Sequence, residues 1–121
     1  MRTDWTLAVL VAAALAAGGP ARAQDAPAGN ADTGKKIFLA VGCYECHGRD
    51  GQGGAFNGPA PILARTALPF DAFKQQLREP SSEMPPYVDA VLTDQGVADL
   101  YAFLQALPGP IPVKTIAILN H

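Results

Sequence analysis

Cys43-Tyr44-Glu45-Cys46-His47 places two thiols and an imidazole within five residues. In a C-x-x-C-H sequence the two thiols add across the two vinyl groups of a haem and become thioethers, and the histidine then faces the iron as proximal ligand. On a short helical turn, residues three and four apart share a face, so Cys43, Cys46 and His47 can address one flat ring together. A thioredoxin-like dithiol would need a preceding strand in a βαβ setting, and no such pattern precedes the motif. Zinc would need four ligands, and the spacing of His47 and His121 from the cysteine pair fits no finger or ribbon pattern. The motif therefore reads as covalent attachment of one haem c.

An iron held by one histidine takes methionine or a second histidine as its usual opposite ligand. The chain has two methionines, and Met1 belongs to a leader expected to be removed. Met84 sits in Glu83-Met84-Pro85-Pro86. Each proline pushes the residue before it out of helical geometry into an extended one. The result is a stiff arm presenting one thioether, and Met84 is assigned as distal ligand, ahead of His121 or an open site.

The leader carries Arg2, the unbroken apolar stretch 7–17, and an A-x-A site at Ala21-Arg22-Ala23. This is the layout of a signal peptide (1–23) cleaved after Ala23, and the apolar run is short for a membrane span. No later segment could span either, and a periplasmic destination is expected. The remaining 98 residues, Gln24 to His121, amount to one domain. Arg2, Arg22 and Asp4 leave with the signal, so seven basic residues face ten acidic ones, a net −3. With no basic run or patch, nucleic acid is excluded as a partner. A chain this small folds on its own core only marginally, so a buried haem should contribute much of the stability.

The elements that must position these residues follow from helix caps, glycines and prolines. Residues 24–31 read as a mobile leader rich in Ala, Pro and Gly. A helix is expected over 32–41, capped by Asn30 or Asp32 and ended by Gly42. The stretch 48–61 holds five glycines and two prolines and reads as a loop. A short helix over 71–78 must stop at Pro80. Residues 80–86 form a second loop, and Thr93 caps a last helix over 94–107, closed by Pro108. Gly96 stands where Glu or Gln would complete a capping box. The reading is all-α, with three to four helices and long loops wrapped round one haem.

With the motif and Met84 in place, the chain from about Asp32 to Leu107 resembles a small bacterial class I (mitochondrial-type) cytochrome c. Gly34 and Phe38 match the glycine and aromatic of that family's first helix, and Leu100 and Phe103 match its last. The resemblance implies a domain over 32–107. It also implies a proline carbonyl that accepts from the proximal histidine, for which Pro61 is the choice and Pro59 the rival. Arg78, just before the methionine loop, is expected to face a haem propionate, or to act only as a helix-end cation. Tyr87 is expected to donate to a propionate or simply to pack.

Two features depart from the family's respiratory members. Only Lys35, Lys36, Lys74 and Lys114 are present, too few for a lysine ring around the haem edge, which argues against a strongly acidic docking partner. The proline-punctuated tail 108–121 outruns the last helix, and reads either as folding back on the protein or as a docking arm. The function expected is one-electron transfer rather than enzyme catalysis. The first choice of role is electron-accepting subunit or partner of a dehydrogenase. The alternatives are a freely diffusible carrier to a terminal oxidase, and a gas-binding sensor or peroxidase with an open iron.

Overall fold

The computed structural model describes residues 26–54 and 60–119. The expected signal peptide and its expected cleavage site, Pro59 and His121 lie outside these residues. Among those described, the chain is all-α and without strands. It forms α1 (Ala31–Ala40), α2 (Cys43–His47), α3 (Phe70–Arg78) and α4 (Asp94–Ala106), followed by two 3₁₀ turns at Val113–Thr115 and Ala117–Leu119. None of these helices is long and apolar enough to cross a membrane.

Local chemistry sets the helix ends. The Asn30 side chain accepts from the Thr33 N–H at 2.9 Å, and Thr93 Oγ1 accepts from the Gly96 N–H at 3.1 Å, so α1 and α4 each begin on a side-chain cap. Helix α3 starts one residue before the expected Asp71, directly after Pro69, whose fixed φ suits a helix entry. It ends at Glu79, kept out of helical geometry by the proline that follows it. The chain turns from α1 into α2 at Gly42, whose φ of 80° is left-handed and costs glycine little.

The core lies where α1 crosses α4. Gly34 is buried in the crossing, where a Cβ would overlap the Asp99 carbonyl and approach Phe103 Cβ at 2.8 Å. Phe38, one turn on, is fully buried and tilts against Phe103 with ring centroids 5.4 Å apart. Burying a side chain of that size is worth roughly 1.5–3 kcal/mol. Leu100, Leu104 and Val97 fill the rest of the contact from α4. On the other side of α4, Phe70 and Phe73 of α3 both pack on Tyr101, at 5.5 and 5.3 Å. Part of the stretch read as a mobile leader is attached to this core. Gln95 Nε2 donates to the Ala28 carbonyl at 3.2 Å, and Gly29 lies so close to the Ala98 backbone that it leaves no room for a side chain.

Candidate haem site

Helix α2 is the five-residue motif itself, closed by Gly48, whose N–H donates to the Tyr44 carbonyl at 3.0 Å. One turn of helix divides the three side chains by exposure. Cys43 and His47 are buried, 8% and 9% exposed, while Cys46 is exposed. One thiol thus lies at the core and the other at the rim.

The glycine loop folds the chain back onto this turn. Gly53 N–H donates to the His47 carbonyl at 2.8 Å, and the Gly51 carbonyl accepts from Leu63 and Ala64 at 2.8 and 3.0 Å. Gly51 and Gly53 have φ of 62° and 79°, and a Cβ on Gly53 would crowd the 60–62 backbone at about 3 Å. This close approach is what delivers Pro61 to the histidine: His47 Nδ1 lies 2.9 Å from the Pro61 carbonyl oxygen. A proline carbonyl can only accept, so Nδ1 carries the proton and Nε2 is left with the lone pair that a metal needs. A bond of this kind fixes the ring and raises its basicity.

Met84 is half-buried, whereas Glu83, Pro85 and Pro86 around it are exposed. Its side chain packs against the cluster that contains Cys43, Phe73, Leu77 and Leu100. Tyr87 joins the same cluster. Its hydroxyl donates to the Val41 carbonyl at 3.3 Å and lies beside the Cys43 thiol. Burial pushes the Cys43 thiol up to about 11, with the Tyr87 hydroxyl pulling the other way. The Tyr87 hydroxyl is itself pushed up to about 12, by burial first and then by Cys43. Both groups are therefore neutral at physiological pH before any thioether forms. Tyr87 thus stands beside a cysteine that would form one of the thioethers, and its hydroxyl bonds within the chain to Val41.

The structure gives Arg78 partners that the sequence did not indicate. One terminal guanidinium nitrogen donates to the carbonyls of Tyr87 and Leu92 at 2.6 and 2.8 Å. The other meets Asp89 and Asp94 at 2.6 and 2.9 Å. Four of the five guanidinium donors are thereby used within the chain, leaving only Nε–H for a propionate. Asp89 and Asp94 carried no sequence signal for this role beyond being carboxylates.

The residue set fits a covalently bound haem: two thiols without a disulfide, an imidazole with Nε2 free, and a thioether packed into the cluster that holds the buried thiol. Among the described residues no three His, Cys, Asp or Glu side chains gather as a metal site of their own. A groove of about 310 Å³ lies elsewhere, between the glycine loop and the start of the tail, lined by Asp50, Gln52, Ile62, Ala64 and residues 108–111.

Comparison with known proteins agrees with this chemistry. The family described as cytochrome C oxidase, cbb3-type, subunit III matches residues 29–104. Cytochrome c-555 of Methylococcus capsulatus is 33% identical over 100 residues, covering 82% of this chain and 77% of the relative. No solved structure matches.

Proposed function

We propose, from the premise that the chain belongs to the cytochrome c family, that it carries one haem attached through Cys43 and Cys46 and ligated by His47 and Met84. Membership of the family makes the protein a haem-binding electron-transfer protein rather than an enzyme. The observation that carries the residue assignment is the 2.9 Å contact between His47 Nδ1 and the Pro61 carbonyl. It orients an imidazole for metal ligation beside two thiols and leaves it no other evident task. Such a haem supplies a one-electron couple, and a thioether ligand raises its potential relative to two imidazoles.

The remaining work belongs to the chain. Pro61 holds the His47 ring and its tautomer, and the core cluster keeps water from the Met84 face. Tyr87 supports the buried attachment cysteine. With His47 and Met84 both held by the chain, a bound haem would have no vacant position for a substrate and would supply one-electron transfer with little reorganisation. A gas sensor or peroxidase needs an open iron, and the packing of Met84 against the core weighs against both.

For the partner, the tail supports docking to a dehydrogenase as electron-accepting subunit, because Ile111, Val113, Ile118 and Leu119 are all largely exposed. The second reading is a diffusible carrier to a terminal oxidase; the family's description as an oxidase subunit supports its choice of an oxidase as partner and leaves diffusion to be tested. Export to the periplasm follows from the signal-like leader. Protease digestion of the exported holoprotein should release a haem-bearing peptide that contains both Cys43 and Cys46. Haem that extracts freely into acidified acetone would overturn covalent attachment. Reduction of the ferric protein by a periplasmic dehydrogenase fraction, set against oxidation of the ferrous protein by oxidase-containing membranes, separates the two partner readings.

A further inference from the structure

We propose that Arg78 is the positioning residue for the Met84 loop, holding that loop through the backbone of Tyr87 rather than binding a propionate. This rests on the assignment of Met84 as distal ligand.

Residues 79–93 connect α3 to α4 with no helix or strand of their own, and most of their side chains are exposed. The segment's apolar hold on the core is confined to Met84, Tyr87 and Leu92, so hydrogen bonds must fix much of its course. Its ties to the helices converge on the last turn of α3. The Tyr87 N–H donates to the Leu77 carbonyl at 2.8 Å, one of the carbonyls that a helix C-terminus leaves unpaired. The Tyr87 carbonyl accepts from Arg78 at 2.6 Å. Both backbone groups of Tyr87 are thus held by adjacent residues of one helix. Arg78 also reaches Leu92 at 2.8 Å, Asp89 at 2.6 Å and Asp94 at 2.9 Å, so the second half of the loop is gathered on the same guanidinium. The loop's other bonds to the helices lie at its two ends, Glu79 on the Gln75 carbonyl and Thr93 capping α4, or are the Tyr87 hydroxyl on Val41 and an exposed Ser81–Gln76 contact, both at 3.3 Å.

Between the held Tyr87 and Met84 stand only Pro85 and Pro86. Each proline has a fixed φ, and each restricts the residue before it. The prolines transmit the position of the Tyr87 backbone to the thioether with few soft dihedrals between. The planar fork of arginine serves two carbonyls and two carboxylates at once, which a lysine ammonium cannot do. Its charge is balanced by Asp89 and Asp94, so the clamp does not depend on a propionate.

The test measures how readily imidazole displaces the distal ligand in the ferric holoprotein, with amide exchange followed in parallel. Arg78→Lys keeps the charge at the helix end and removes the fork. Losing hydrogen bonds to a charged donor should raise the apparent imidazole affinity by about tenfold or more. It should also speed exchange at Tyr87 and weaken the far-red band of a ferric iron–thioether bond. Tyr101→Phe, which removes the hydroxyl bond to the Leu68 carbonyl at the opposite end of α3 from Arg78, should leave imidazole affinity unchanged and so separates positioning from general destabilisation. Imidazole affinity in Arg78→Lys within about twofold of wild type, with a large rise in Met84→Ala, overturns the role of Arg78 and keeps the ligand assignment. No rise in Met84→Ala overturns that assignment instead. In the wild-type protein alone, a Tyr87 amide that exchanges as fast as exposed Ser82 and Glu83 overturns the anchor, whatever the variants do.

Discussion

Asp99 of α4 accepts the backbone N–H of Asn30 at 2.8 Å, and Asn30 is the residue whose side chain caps α1. The start of one helix is therefore written into the middle of the other. Asp99 is buried, 7% exposed, and accepts a second bond from Gln95 at 3.0 Å. A buried carboxylate needs such partners, since an unpaired one is costly. The α1–α4 crossing carries the haem motif at the C-terminal end of α1, so whatever sets this crossing also sets where α2 begins.

Gly34→Ala should test how tightly the crossing is built. In an isolated helix the change would favour folding by up to about 1 kcal/mol. Here the added methyl meets the Asp99 carbonyl and lies 2.8 Å from Phe103 Cβ, so the helices must separate. Overpacking of this kind costs about 1–3 kcal/mol, which outweighs the propensity gain. Denaturant melts of the holoprotein should show a net loss of stability. A gain would mean that the two helices are not in backbone contact.

Met84→Ala should lower the reduction potential by a substantial fraction of the roughly 0.8 V that axial ligation spans. It should also let carbon monoxide bind the ferrous protein. Potentiometry and the ferrous spectrum under carbon monoxide read both effects. An unchanged potential with no carbon monoxide complex would falsify the assignment of the distal ligand.

Much of the fold was legible because its boundaries are local. Asn30 and Thr93 cap by their own side chains, and Pro80 and Pro108 cannot continue a helix, so α1, α3 and α4 fall within a residue of expectation. Gly34, Phe38, Leu100 and Phe103 were legible as a crossing through the family resemblance, and the physical reason is that a glycine allows close backbones and large side chains fill beside it. The Pro61 carbonyl was reachable from the family resemblance, not from spacing, since its delivery depends on left-handed glycines whose turns cannot be counted in advance. The partners of Arg78 were not legible, because they are fixed by where a distant loop returns. Asp99 reads as an ordinary helix acid and is buried only because α1 lies across it. Arg65, at φ 52° with its N–H on the Leu104 carbonyl at 2.8 Å, holds a conformation its residue type does not announce.

Asp94 gives a pH dependence with a definite sign. Hydrogen bonds from Lys74 first, and then from Arg78, hold its carboxyl below its ordinary value of 3.8. A depressed carboxyl contributes stability above the unfolded value, and that contribution is lost as pH falls through the folded one. The window is therefore below 3.8, not near neutrality. Asp94→Asn should narrow the stability difference between pH 7 and pH 3, modestly, because the carboxylate is solvent-exposed and screened. Urea titrations at the two pH values measure that difference. An equal difference in both proteins would remove Asp94 from the acid response.

Truncation after Pro110 separates the two readings of the tail. Residues 111–115 and 117–119 are exposed, with Ile111 at 72%, Val113 at 66%, Ile118 at 75% and Leu119 at 59%. Ile111 reaches the groove beside Ile62, while Pro108, Gly109 and Pro110 line it from the retained side. Removing exposed side chains away from the core changes stability by no more than about 0.5 kcal/mol, so the melting of the holoprotein should hardly move. A segment folded back to protect the core would instead cost several times that on removal. If the tail is a docking arm, truncation should leave the reduction potential unchanged and weaken capture of the redox partner from a periplasmic extract. Unchanged capture, together with unchanged melting, would leave the arm without either role and move the partner surface to the haem edge.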